Sequence, residues 1–229
     1  MEIIKKALNE GRMTLSEHES KVVLASYRIP VTREIIVENR KDVIKAARKI
    51  GYPVAMKGCS SEISHKTERG LIQLNIRDDI EALDSFNDIL ANMDSDGETV
   101  LVQEMVTGKR ELVIGLIRDL QFGPCVMFGL GGVFAEVLND VVFRIAPLNK
   151  KDALEMMDEI SACKMLGSIR GMEPVDRDIL SEMLINVGKL GIDNDDIKEI
   201  DINPVVISGS LPIAVDALIL LQNSTSKSL

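Results

Sequence analysis

The feature that most narrows the possible folds is the way helical and strand-like hydrophobic periods alternate along the chain without a fixed repeat. Residues 16–29, SEHESKVVLASYRI, open on Ser16, a residue suited to cap a helix, and set Val22, Val23, Ser26 and Ile29 near one face. Pro30 ends that run. VTREIIV (31–37) then reads as a strand, and KDVIKAARKIGYP (41–53) as a helix closed by Gly51 with Pro53 beyond it. PVAMK (53–57) has the continuous apolar character of a buried strand and LIQLNI (71–76) alternates as another. DDIEALDSFNDILANM follows as a helix whose acidic first turn suits its dipole.

The polar stretch DSDGE (94–98) is the clearest boundary. Beyond it TVLVQEMV, RELVIGLIRD, PCVMFGLGGVF, EVLNDVVFRIAPL, EIDINPVVI and PIAVDAL are all strand-rich. Two helical runs interrupt them, KKDALEMMDEISACKML (150–166) and DRDILSEMLINVGKLG (176–191), with apolar residues at three- and four-residue steps. This mixture lacks the strict repetition of a TIM barrel and fits an α+β chain of two lobes better than a doubly wound sheet. The expected lobes are residues 1–98 and 99–229.

Composition excludes several classes of function. A formal net charge of −9 opposes wrapping nucleic acid, and aromatic residues at 3% supply no stacking platform for single strands. No run of about 18 apolar residues marks a membrane span, and MEIIKKALNEGRM is amphipathic where a signal peptide has an unbroken apolar centre. A cytoplasmic protein without membrane or nucleic-acid partners is expected. Cys59, Cys125 and Cys163 are odd in number and widely spaced, which suggests reduced, mostly buried thiols.

Several residues can carry chemistry. Lys57 follows an apolar run, where its ammonium can meet phosphate oxygens or sit solvated at a strand end. Glu104 and Glu111 bracket VQEMVTGKRE and either face a ligand or stand exposed on an edge strand. Gly129, Gly131 and Gly132 in FGLGGVF permit close approach of backbone N–H groups to a phosphate, or simply a tight turn. EIDINPVV and PIAVDAL flank a short turn, so Asn203 and Asp216 can lie opposite one another on adjacent antiparallel strands. An amide oxygen and a carboxylate are hard donors suited to Mg²⁺, though a turn-favouring Asn-Pro and a strand Asp have the same spelling.

The order of SEHESKVVLASYRIPV, YPVAMKGCSSEISHKTERGL, VLVQEMVTGKRELVIGLIRDLQFGPCVMFGLGGVFAEVLNDVVFRIAPL and EIDINPVVI with AVDA resembles the ATP-grasp subunit of the ADP-forming acyl-CoA synthetases, relatives of succinyl-CoA synthetase. The resemblance runs from about residue 14 to about 220. It implies the ATP-grasp fold, with ADP or ATP held between two α+β lobes, and an acid–CoA ligase of the acetate–CoA type. Carried over by motif, it gives Lys57 and the glycines at 129, 131 and 132 to the nucleotide phosphates, with Arg144 as a further contact. Val102, Gln103, Glu104 and Met105 fall on the adenine and ribose side. Glu111 matches the glutamate of the grasp motif, and Asn203 and Asp216 match the Mg²⁺ ligands. Asp119 and QFGP match as well, without an assigned role.

In this family the reaction converts acyl-CoA, phosphate and ADP to free acid, CoA and ATP through an acyl phosphate and a phosphohistidine. The principal phosphorylated histidine and the CoA-binding fold lie on a partner α subunit, which implies an α2β2 heterotetramer. His65, in SHKTERG, matches a second family histidine that takes the phosphoryl group across to ADP, a relay suited to a nucleophilic neutral imidazole. Ser60, Ser61, Ser64 and Lys66 can hydrogen-bond a phosphorylated ring, and Gly70 gives the loop freedom. His18, between Glu17 and Glu19, reads as a surface residue. Two alternatives stay open at this point: a stand-alone ATP-grasp carboxylate ligase without a phosphohistidine, and a non-catalytic nucleotide-binding regulatory module. His65 argues against the first, and Lys57, Glu111, Asn203 and Asp216 against the second.

Overall fold

A computed structural model describes residues 1–59, 70–93, 99–132, 140–169 and 171–223. Helices α1 (Glu2–Asn9) and α2 (Glu17–Ser26) precede strand β1 (Glu34–Val37), helix α3 (Arg40–Ile50), and strands β2 (Val54–Cys59) and β3 (Ile72–Ile76). Helix α4 (Asp79–Ala91) leads to strands β4 (Thr99–Glu104), β5 (Glu111–Asp119), β6 (Gly123–Leu130) and β7 (Val141–Ile145). Then come helices α5 (Lys150–Glu159) and α6 (Arg177–Asp193) and strands β8 (Ile197–Ser208), β9 (Leu211–Ala214) and β10 (Leu218–Leu221). The mixture of antiparallel sheet and helix is the expected α+β class.

The chain forms two compact units, and their composition corrects the expected division at residue 98. One unit comprises residues 16–18 and 32–106; the other comprises 1–15, 19–31 and 107–229. The reason is strand pairing. β4, expected to open the second lobe, is an interior strand of the smaller unit's sheet, whose order is β1-β4-β2-β3. It pairs antiparallel with β1 on one side and β2 on the other, so it cannot leave without splitting that sheet. The N-terminal residues join the larger unit through bridges from Thr14 to Leu220 and from Val31 to Ala214. Val31's bridge also explains why the strand expected over 31–37 begins as β1 only at Glu34.

In the smaller unit, Val54 and Met56 of β2 and Val100 and Val102 of β4 point to a core filled by α3 and α4. Each helix is started by a side chain that accepts otherwise orphaned N–H groups. Asn39 takes that of Lys41, and Asp78 takes those of Ile80 and Glu81. Gly51 stops α3 at φ 100°, a conformation that residues with a Cβ adopt at a steric cost.

The larger unit is built on the sheet β10-β8-β5-β6-β7, with β9 also on β8. Leu112, Ile114 and Leu116 of β5, Val126 and Phe128 of β6, and Ile200 and Ile202 of β8 bury one face in a core shared with residues of α1, α2, α5 and α6. Burying each such side chain contributes on the order of 1.5–3 kcal/mol before chain entropy is charged against it. All three cysteines are free thiols, Cys59 and Cys125 buried and Cys163 partly so, as expected. Among the described residues no helix is long and apolar enough to cross a membrane.

Candidate functional site

Strand alternation sends the other face of the larger sheet's β5 and β8 a different set of side chains. Gly115 pairs with Asp201 and Ile117 with Glu199 across these strands, while their neighbours Leu116, Ile200 and Ile202 face the core. Glu111 belongs to the same row as Gly115 and Ile117. On β8 the alternation is broken once: Ile200 and Ile202 face the core, and so do Val205 and Ile207. The extra residue is a bulge at Asn203–Pro204, where the register with β5 shifts between Leu112 and Ile114. It leaves Asn203 exposed, on the face carrying Glu199 and Asp201.

The pairing on the far edge of β8 brings in Asp216. β9 pairs with the second half of β8, ending at Val205 with Ala214, and β10 pairs with the first half, beginning at Asp201 with Leu218. Asp216 lies in the link between them, and the Val215 N–H donating to Pro204 O at 3.0 Å sets that link beside the bulge. Asp216 is thus near the Asn203–Pro204 bulge, but in a link and not on a strand directly opposite Asn203 as expected. The Ala217 N–H donates to Asp216 Oδ1 at 2.8 Å and orients the carboxylate.

Charge on this face is crowded. The Asp201 carboxyl is pushed up to about 6, first by burial and then by the carboxylates of Glu199 and Asp216. Asp201 was not singled out from sequence, although it stands two residues before Asn203 on the same strand face. Asn203, Asp216 and Glu111 supply hard oxygens, and like charges pressed together favour a bound cation. Among the described residues no cluster of three or more His, Cys, Asp or Glu forms a protein-only metal cage. Two protein ligands are what Mg²⁺ uses when substrate phosphates and water complete its shell, so these residues fit that ion.

Two of the glycines pack tightly against the start of β5. Gly131 N–H donates to Glu111 O at 2.8 Å, and a Cβ on Gly131 would lie 2.8 Å from Leu112 O. Gly132 has φ +74°, and a Cβ there would lie 2.9 Å from Glu111 Oε2. A pocket of about 240 Å³ opens here, lined by Lys109, Glu111, Gly131 and Gly132 among others. Beside it Arg110, buried and missed from sequence, donates to the carbonyls of Met165, Gly167, Glu173 and Gly209 at 2.6–3.3 Å. Its guanidinium ties three segments to the start of β5. Only long-range contacts identify it; the dipeptide KR carries no local signal.

Two expected contacts, Arg144 and Gly129, and the matched residue Asp119 are placed differently from one another. Arg144 stands on the helix-side face of β7, since it pairs with Val126 while Val126 is in the core, and its guanidinium meets Glu159 at the end of α5. It is thus turned away from the carboxylates. Gly129 lies on their face, in register with Val113. Asp119, matched without a role, accepts the N–H groups of Gln121 and Phe122 at 2.7 and 2.8 Å and caps the β5–β6 turn.

In the smaller unit Lys57 is not the solvated strand-end lysine that its sequence allowed. It lies within β2, 4% exposed, with Nζ 2.6 Å from Glu17 Oε1. Val102 faces the unit's core, so it offers a ligand only its backbone; Gln103, on the opposite side of β4, is buried too. Glu104 accepts from the backbone N–H and Nε of Arg33 at 2.8 and 2.7 Å, and Met105 follows the strand's end. His18 is not a free surface residue either: its Nδ1 lies 2.8 Å from Glu34 Oε1. His65, Ser60, Ser61, Ser64 and Lys66 lie outside the described residues, and Gly70, just after them, has φ +68°.

Comparison with known proteins places this geometry in context. The family model of the ATP-grasp domain matches residues 6–221. The beta subunit of ADP-forming acetate–CoA ligase I from Pyrococcus furiosus is 44% identical over 225 residues, covering 96% of this chain and 97% of that one. Among solved structures, the acetyl-coenzyme A synthetase 1 of Ca. Korarchaeum cryptofilum, in complex with coenzyme A and Ca-AMPCP, superposes with a TM-score of 0.92 at 41% identity. That match covers 96% of this chain and 99% of the other. A second structure of that enzyme, with coenzyme A and Mg-AMPPCP, has its phosphohistidine segment pointing towards the nucleotide binding site. It matches at a TM-score of 0.87 and 42% identity, over 96% and 99% of the two chains.

Proposed function

Because this chain belongs to the ATP-grasp family, among the beta subunits of the ADP-forming acetate–CoA ligases, we propose that it is the nucleotide-binding subunit of an ADP-forming acid–CoA ligase. It works with a CoA-binding alpha partner in an α2β2 assembly in the cytoplasm. The reaction takes acyl-CoA, ADP and phosphate to free acid, CoA and ATP, with an acyl phosphate and a phosphohistidine between. A small acid such as acetate is the acyl group that the similarity favours.

The observation that supports this reading is that Glu111 and Asn203 share one sheet face, with Asp216 in the link beside the Asn203–Pro204 bulge and Gly131 and Gly132 packed against Glu111. Asn203 and Asp216 are the residues that would hold Mg²⁺ there. A bound Mg²⁺ supplies charge neutralisation at the nucleotide phosphates. Gly131 and Gly132 let the end of β6 lie close against Glu111 and Leu112, where a side chain would displace Glu111. Lys57 contributes a point charge to the phosphates, and residues 102–105 recognise the adenine and ribose through backbone and Gln103. His65 carries the phosphoryl group to ADP.

Phosphoryl transfer asks a protein mainly for positioning and charge compensation, and these residue types supply both. The test is acyl-CoA- and phosphate-dependent ATP formation by the chain assembled with its partner. The relay is checked with γ-labelled ATP: acid-labile, base-stable label on this chain that disappears in His65→Ala supports it. Label confined to the partner and unaffected by that substitution removes His65 from the relay.

A further inference from the structure

The smaller unit contains a buried charge that the proposed chemistry uses and a second one that it leaves unexplained. Lys57 is the first and Glu17 the second, at 4% and 3% exposure, with 2.6 Å between Nζ and Oε1. Glu17 is also the first residue of α2, where the helix dipole favours a carboxylate. The next residue, His18, is tied to Glu34 on β1 at 2.8 Å, so two successive side chains at this helix start are fixed to two strands of one sheet. Lys57 rises from β2 on the face opposite Val54 and Met56, the residues that fill the core.

A buried ion pair of this kind adds little to folding, because desolvation of both charges offsets their attraction and a well-packed apolar pair does as well. What the pair does fix is the place of the ammonium. A lysine side chain has four rotatable bonds, and without a partner its charge would be displaced or discharged when removed from water. We propose that Glu17 is a positioning residue that holds the Lys57 ammonium where it meets the nucleotide phosphates. This inference rests on the reading of Lys57 as a phosphate contact and adds to it a residue 40 positions away in the chain.

The experiment measures Kd for Mg-ADP and for adenosine on the full chain for wild type, Glu17→Gln, Lys57→Met and the double variant, with a thermal melt of each. Glu17→Gln is expected to weaken Mg-ADP by about tenfold or more, as for loss of a charged hydrogen bond. Adenosine, which has no phosphate, should bind as before; a general loss of structure would weaken both. The double variant should bind Mg-ADP no more weakly than Lys57→Met, since Glu17 acts only through Lys57. If Lys57→Met weakens Mg-ADP and Glu17→Gln does not, positioning by Glu17 is overturned while the Lys57 reading stands. If Lys57→Met leaves Mg-ADP unchanged, the Lys57 reading itself fails. Tighter Mg-ADP binding in Glu17→Gln would make the carboxylate a competitor of the phosphate and also overturn the proposal. Should Glu17→Gln fold poorly, Glu17→Asp keeps the charge and withdraws it by one methylene. An intermediate loss of Mg-ADP affinity is then expected, and wild-type affinity would again count against the proposal.

Discussion

The two units treat buried charge in opposite ways. In the smaller one a lysine and a glutamate, both almost inaccessible, are brought to 2.6 Å, so the cation meets an anion. In the larger one Asp201 is set near Glu199 and Asp216, and its carboxyl is pushed up to about 6, first by burial and then by those two carboxylates. Matched charges position a group; crowded like charges leave a field that a cation relieves. The comparison therefore sets a pair of opposite charges against a group of like ones.

The largest effect should follow from removing an oxygen donor on the crowded face. Asp216→Ala is expected to lower Mg-ADP affinity by about 100-fold or more, since even residues that only support metal ligands typically cost 10- to 100-fold. Calorimetric titration with and without Mg²⁺ checks it. Equal affinity of variant and wild type in Mg²⁺ would erase the contrast between the two units.

Next comes the crowding itself. A carboxyl whose folded pKa is raised, here to about 6 from about 3.8, destabilises the folded state as pH rises through that interval. Asp201→Asn removes the charge, so in metal-free buffer the variant should be more stable than wild type by about 1–3 kcal/mol at pH 7–8. The gap should close below about pH 4, where both side chains are neutral. Thermal melts in chelator across pH 4–8 read this directly, and a gap that does not change with pH would mean that neither burial nor the neighbouring carboxylates raise the Asp201 pKa. A smaller effect is expected at Gly132, whose φ of +74° and closeness to Glu111 Oε2 oppose any Cβ. Gly132→Ala should cost about 1–2 kcal/mol of stability and weaken Mg-ADP several-fold by displacing Glu111.

Much of this was legible in the sequence, and the omissions share a cause. The helix expected over 150–166 stops at Glu159 and the one expected to end at 191 runs on to Asp193, but periodic and apolar runs gave the strands, Gly51 gave the end of α3, and the short turn between EIDINPVV and PIAVDAL gave the approach of Asp216 to the Asn203 bulge. Those are local signals, acting within about ten residues. The unit boundary was misplaced because β4's partners, β1 and β2, lie 40 to 70 residues earlier, beyond the polar stretch that looked like a border. His18 looked like a surface residue, and Glu17 carried no signal, because their partners Glu34 and Lys57 lie 16 and 40 residues further on. Asp201 was within reach: strand alternation from Asn203 points to it directly.

The smallest effect concerns the residue whose motif match and placement disagree. Arg144 lies in VVFRIAPL, which matches the family pattern, yet its side chain is on the helix side of β7 and paired with Glu159. A cation on that face cannot act on carboxylates or phosphates on the other without crossing the sheet. Arg144→Ala should therefore leave Mg-ADP affinity within about twofold of wild type, and a partly exposed pair with Glu159 should contribute under about 1 kcal/mol to stability. Glu159→Ala supplies the control, because it should behave the same if the pair is all that Arg144 makes. A tenfold loss of Mg-ADP affinity in Arg144→Ala with none in Glu159→Ala would return Arg144 to the nucleotide and require β7 to present its other face when ADP binds.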